Sequence, residues 1–160
     1  MSRDSDVAIR EAEPDDRHQI AALLTQLGYP STSEEVCQRL AYWLPDPMSL
    51  ILVASQGGRV RGCLSLHAIP YLERTGHWAR IESLVVDEST RGRGTGRALI
   101  AAAEVAARRW DCLAIEVTSL RTRAGAHAFY ERMGFEDVCG SSGRFLKTLD
   151  HADIAEPAQS

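Results

Sequence analysis

Lysine is almost missing from this chain: Lys147 is the only one among eighteen basic side chains, and the rest are arginine. An ATP-type phosphate loop needs a lysine followed by Ser or Thr at a helix start, so none can form in the glycine-rich segment described below. Cysteine is sparse. Cys37, Cys63, Cys112 and Cys139 make no C-x-x-C pair and no zinc-finger spacing with histidine. Three of them sit in apolar runs and read as buried small hydrophobes of a reduced compartment. Long apolar runs are also lacking, which removes a bilayer-spanning helix. The opening "MSRDSDVAIREAEPDD" has no signal-peptide pattern, so the cytoplasm is the expected compartment. A surplus of positive charge is missing as well: the net charge of −4 argues against wholesale nucleic-acid binding. The five histidines offer no pair at metal-binding spacing, and no metal is expected.

What remains is an ordinary globular composition, 44% apolar and 25% charged over 160 residues. It fits one domain over residues 1–149, with a disordered tail at 150–160. "DVAIREA" reads as a strand, and "PDDRHQIAALLTQLGY" as a helix opened by Pro14 and Asp15 and stopped by Gly28. Thr32 and Glu35 form a capping-box pattern for a second helix, which Pro45 and Pro47 end. "LILVASQGGRVRGCLSLHAI" is a hairpin around Gly57 and Gly58, and "HWARIESLVV" is a further strand. A helix from Thr95 to Arg109 carries Leu99, Ala102, Ala103 and Ala106 on one stripe. "CLAIEVTS" alternates as a strand, "RAGAHAFYERM" is a short helix closed by Gly134, and "GRFLKTL" is a last strand. Two helices, a hairpin and then alternating strands and helices give a mixed α/β (α+β) layer arrangement.

The segment "LVVDESTRGRGTGRALI" over residues 84–100 carries the chemistry. The dinucleotide fingerprint G-x-G-x-x-G fails, because Gly96 falls at the wrong step after Gly92 and Gly94. A nucleotide-dependent oxidoreductase is therefore disfavoured. The general physics survives: backbone N–H groups at a helix N-terminus converge on an anion, and Arg91, Arg93 and Arg97 add charge-assisted contacts. A diphosphate is the natural guest.

Arg91-x-x-Gly94-x-Gly96 after "IESLVV" resembles the acyl-CoA pyrophosphate loop of the GNAT superfamily of N-acetyltransferases. "AHAFYERMGFE" from Ala126 to Glu136 is similar to that superfamily's Phe-Tyr-x-x-x-Gly-Phe segment, and the order of elements agrees over nearly the whole chain. The resemblance implies a largely antiparallel sheet flanked by helices, whose strands splay to admit acyl-CoA. Backbone groups of Leu84, Val85 and Val86 would pair with pantetheine. The amides of Arg91, Gly92, Arg93, Gly94, Thr95, Gly96 and Arg97 would hold the diphosphate, and Ser119 and Arg123 belong to the same donor site. It also implies acetyl-CoA as co-substrate and direct attack by an amine, and it is compatible with a homodimer.

Tyr130 matches the residue that protonates the leaving thiolate in the family. The family's usual glutamate position falls on Arg80, a departure that leaves Glu82 to take the amine proton through water, or to bind a cationic substrate. The acceptor would meet Tyr29, Trp43, His67 and His77. The branch most resembled acts on small amines, aminoalkylphosphonates included, and Arg74, Arg80, Arg121 and Arg123 would suit an anionic acceptor. Alternatives are an aminoglycoside or protein N-terminal acetyltransferase, and a non-catalytic acyl-CoA sensor.

Overall fold

The computed structural model describes residues 6–149. Five strands form one sheet in the order β1-β2-β3-β4-β5: Ala8–Glu11, Ser49–Gln56, Arg59–Pro70, His77–Val86 and Cys112–Val117. The first four pair antiparallel and β4 pairs β5 in parallel. Four α-helices accompany them: α1 (Arg17–Leu27), α2 (Ser33–Trp43), α3 (Thr95–Arg109) and α4 (Ala124–Arg132). The chain divides after Thr118 into two compact units, the first holding the whole sheet with α1, α2 and α3, the second holding α4.

The two faces of the sheet follow from strand alternation. Ile51, Val53, Cys63 and Val85 point to one face, where they join Ile20 and Leu23 of α1 and Val36 and Leu40 of α2 in a buried cluster. Leu64, Leu66 and Ile81 alternate to the other face and are fully buried. There α3 packs so closely that a Cβ built on Gly62 would lie 3.0 Å from Leu99. The buried stripe of α3 is Thr95, Leu99, Ile100, Ala103 and Ala107, with Ala102 and Ala106 half-buried at its flank. The β2–β3 hairpin turns through Gly57 (φ 56°) and Gly58 (φ 73°), both in the left-handed region that a tight two-residue connection requires. Thr32 caps α2 with Glu35 in the expected reciprocal box. Arg10 of β1 grips buried Asp16 with two hydrogen bonds of 2.8 Å, tying the sheet edge to the first helical turn.

Two expectations are corrected. No strand forms at residues 143–149: Phe145 and Leu146 are exposed, and no strand among the described residues pairs with them. A short apolar segment does not hold as a strand without a ladder partner. Of the four cysteines only Cys63 is buried, while Cys112 is half-buried and Cys37 and Cys139 are exposed. Cys37 stands one step round α2 from the Val36–Leu40 stripe, which turns it outward. The tail expected at 150–160 lies outside the described residues. No helix among the described residues is long and apolar enough to cross a membrane.

Candidate active site

The β4–β5 ladder runs from His77↔Cys112 to Ile81↔Val117 and stops there, although β4 continues to Val86. Residues 83–86 therefore pair with β3 on one side and, among the described residues, with no strand on the other. A bulge lies at the same point. Ser65 faces Ser83 and Leu66 faces Ile81, so Glu82 is the extra residue of β4. Leu84, Val85 and Val86, the residues expected beside pantetheine, lie in this stretch and pair only with β3 among the described residues.

The loop that follows is anchored at its entry. Asp87 accepts from the Ser89 amide at 3.0 Å and pairs with Arg61 at 3.3 Å, and both hydrogen bonds hold its carboxyl below the usual range, the backbone one more strongly. The Glu88 amide donates to Gln26 of α1 at 3.0 Å. Gly94, the N-cap of α3, has φ 85° and supplies no side-chain cap. The first amide of the helix bonded within the chain is that of Ala98, to the Gly94 carbonyl at 3.0 Å. The amides of Thr95, Gly96 and Arg97 thus have no cap, and Arg93 and Arg97 are exposed around them. Uncapped amides at a helix start, ringed by guanidinium groups, fit a diphosphate. Arg91 bends back, its Nε donating to the Val86 carbonyl at 3.3 Å.

A cavity of about 350 Å³ opens on the α2 side of the sheet, bordered by Tyr42, Trp43, Asp46, Ser49, His67 and Glu82. Ser49 and His67 on its wall begin a polar row across four strands, since Ser49 stands opposite His67, His67 opposite Arg80, and Arg80 opposite Glu116. Arg80 meets three acceptors: Glu82 at 2.6 Å, Glu116 at 2.6 Å and the Thr118 hydroxyl at 3.3 Å. Ser49 Oγ lies 2.7 Å from Asp46 Oδ2 and 2.6 Å from His67 Nδ1. Hydrogen bonds from the Ser49 hydroxyl and then the Met48 amide keep the Asp46 carboxyl ionised below its ordinary range. Trp43 meets the His67 ring edge-on, with centroids 6.3 Å apart.

In the second unit Tyr130 is the middle ring of three. Phe129 and Phe135 meet it edge to face at 5.4 and 5.6 Å, and the Phe135 amide donates to the Tyr130 carbonyl at 3.0 Å. Burial pushes the Tyr130 phenol above its usual pKa, against a smaller lowering by the Arg123 charge. Arg123 is the N-cap of α4, and His127 Nε2 lies 2.9 Å from the Leu120 carbonyl.

Of the residues expected at the acceptor, the structure gathers Trp43, His67 and Glu82 around one cavity, and Tyr29 and His77 do not border it. Tyr29 is exposed beyond α1, and His77 begins β4 with its Nδ1 buried and unpartnered. Sequence reasoning missed Asp46 and Ser49. "PDPMS" signals a turn, and Asp46 does accept from the Met48 amide at 3.0 Å, but only the β2–β3 register brings that turn to His67. The arginines expected to greet an anion are partly committed elsewhere: Arg80 as above, Arg74 over the Tyr71 ring at 5.0 Å, and Arg121 on Asp137. Among the described residues no cluster of three or more His, Cys, Asp or Glu side chains is placed to hold a metal ion.

An interrupted parallel pair, a loop of uncapped amides at its end and a polar cavity beside it agree with what the resemblance to the GNAT superfamily implies. Residues 17–135 match the Acetyltransferase (GNAT) family, and the chain belongs to it. It is 31% identical over 142 residues to an aminoalkylphosphonate N-acetyltransferase of Salmonella typhimurium, a match covering 88% of this chain and 90% of the relative. Among solved structures, a transcriptional regulator from Bacillus halodurans superposes with a TM-score of 0.79 at 26% identity, covering 91% of this chain and all (100%) of that one. A Trypanosoma brucei acetyltransferase gives 0.72 at 26% identity, with 91% of this chain and 100% of that one covered.

Proposed function

We propose that this protein transfers an acetyl group from acetyl-CoA to the primary amine of a small molecule, by direct attack and with no covalent enzyme intermediate. The observation that carries the reading is β4. Among the described residues its stretch 82–86 lacks a strand partner on one side; it leads into the uncapped amides of α3 and begins at Glu82, which borders the polar cavity. Leu84, Val85 and Val86 would take the pantetheine arm, and the 91–97 loop the diphosphate. On the motif resemblance, Ser119 and Arg123 complete the donor site and Tyr130 gives its proton to the departing thiolate. Glu82 is the counter-charge for the incoming ammonium group.

The aminoalkylphosphonate relative supports a small primary amine as acceptor. The test is thiol release from acetyl-CoA with a panel of aminoalkylphosphonates, diamines and aminoglycosides, each product identified by mass. Acetylation of one class is the expected result. Tight acetyl-CoA binding without CoA release for any amine would establish the sensor reading instead.

A further inference from the structure

We propose that His67 is the proton acceptor for the incoming amine, and that Ser49 and Asp46 hold its ring in the one tautomer that can serve. This rests on the acetyltransferase reading above. The argument is a count of protons. Ser49 Oγ is within hydrogen-bond distance of both Asp46 Oδ2 (2.7 Å) and His67 Nδ1 (2.6 Å). The Ser49 hydroxyl has one proton to give. An ionised carboxylate has none, so the serine must donate to Asp46. Its oxygen can then only accept from the ring, which puts a proton on Nδ1 and leaves the lone pair on Nε2. That nitrogen has no hydrogen-bond partner among the described residues, and the ring borders the cavity. The arrangement is a nucleophile-free relay: carboxylate, hydroxyl, imidazole, then substrate.

The groups facing His67 are known from each neighbouring element. α2 offers Trp43 edge-on and Tyr42, the turn before β2 offers Asp46, and β4 offers Arg80 opposite it and Glu82 on the cavity wall. Arg80 is ion-paired with Glu82 and Glu116. In the step itself the ammonium group gives one proton to Nε2 and becomes a neutral amine. Its lone pair forms the N–C bond to the thioester carbonyl, and the adduct nitrogen loses its second proton to solvent. The C–S bond then breaks with its electron pair going to sulfur, which takes up a proton to leave as the free thiol. The proton on His67 returns to solvent.

Three variants test this, His67→Gln, Ser49→Ala and Ser49→Thr, using the acceptor found above. With His67→Gln, kcat/KM for the amine is expected to fall by about 100-fold and to lose its decline toward acid pH, while KM for acetyl-CoA stays unchanged. Ser49→Ala should cost less and Ser49→Thr, which keeps the hydroxyl, should restore the rate. Nitrogen-15 NMR of the imidazole gives a readout independent of turnover. It should show the proton on Nδ1 in the wild type and a mixed tautomer in Ser49→Ala. Wild-type rates and an unchanged pH profile in His67→Gln, or a proton found on Nε2, would overturn the assignment while leaving the acetyltransferase reading intact. If the wild type itself releases no CoA with any amine, the broader reading fails and the base with it.

Discussion

Tyr130 does two jobs that a single substitution separates. Its ring is the centre of the Phe129–Tyr130–Phe135 stack, and its hydroxyl is the proposed proton donor. Tyr130→Phe keeps the edge-to-face contacts, so α4 should fold as before. Turnover should drop by about 100-fold with KM for acetyl-CoA held, as steady-state kinetics would show; unchanged turnover removes Tyr130 from the mechanism. Because burial raises the phenol's pKa, the proton stays on through neutral pH and any loss of donor function belongs to the alkaline side of the ordinary phenol range. At this scale the sequence was a good guide to residue type and a poor one to company. The motif points to Tyr130 directly. The partners of Arg80 and His67 come from strand register, which no local pattern encodes: Ser49 and His67 are eighteen residues apart, Arg80 and Glu116 thirty-six.

Among the elements, α3 shows how backbone geometry makes a site without side chains. Gly94 sits at φ 85° with open space where a Cβ would go. A substituted side chain there would meet no clash but would disfavour the left-handed backbone, by roughly 1 kcal/mol. Gly94→Ala is expected to weaken acetyl-CoA binding in calorimetry while the melting temperature falls only slightly. Equal affinity would mean the loop's shape does not matter to the donor. This helix was expected from about Thr95 to Arg109 and forms there, because a glycine-rich loop leads into apolar residues at helical spacing; of the expected stripe, Leu99 and Ala103 are buried and Ala102 and Ala106 half-buried. The strand expected at 143–149 finds no ladder partner among the described residues, and pairing partners cannot be read from a local segment. The bulge at Glu82 was invisible in advance, since an extra residue in one strand leaves no mark on composition or period.

For the molecule as a whole, acid sensitivity should centre on Asp16. The hydrogen bonds from Arg10 are the largest cause of its lowered pKa, and burial opposes them. The folded state therefore favours the carboxylate, so its contribution is fully present above the unfolded value of about 3.9 and is lost as pH falls through the lower folded one. Asp16→Asn should cost about 2 kcal/mol in denaturant unfolding at neutral pH. The gap between variant and wild type should close as the pH drops below about 3.9. A gap independent of pH would assign the cost to packing instead.

The five residues by which β4 outruns β5 have a further consequence, one of colloidal behaviour. An unpaired run of backbone donors and acceptors in a sheet is a template for another chain as much as for a ligand. On the proposed reading, cells that keep acetyl-CoA plentiful would keep this template occupied, and a purified sample stripped of it would not. Heating the protein with and without acetyl-CoA and following turbidity would show whether the co-substrate also acts as the protein's guard against sticking to itself.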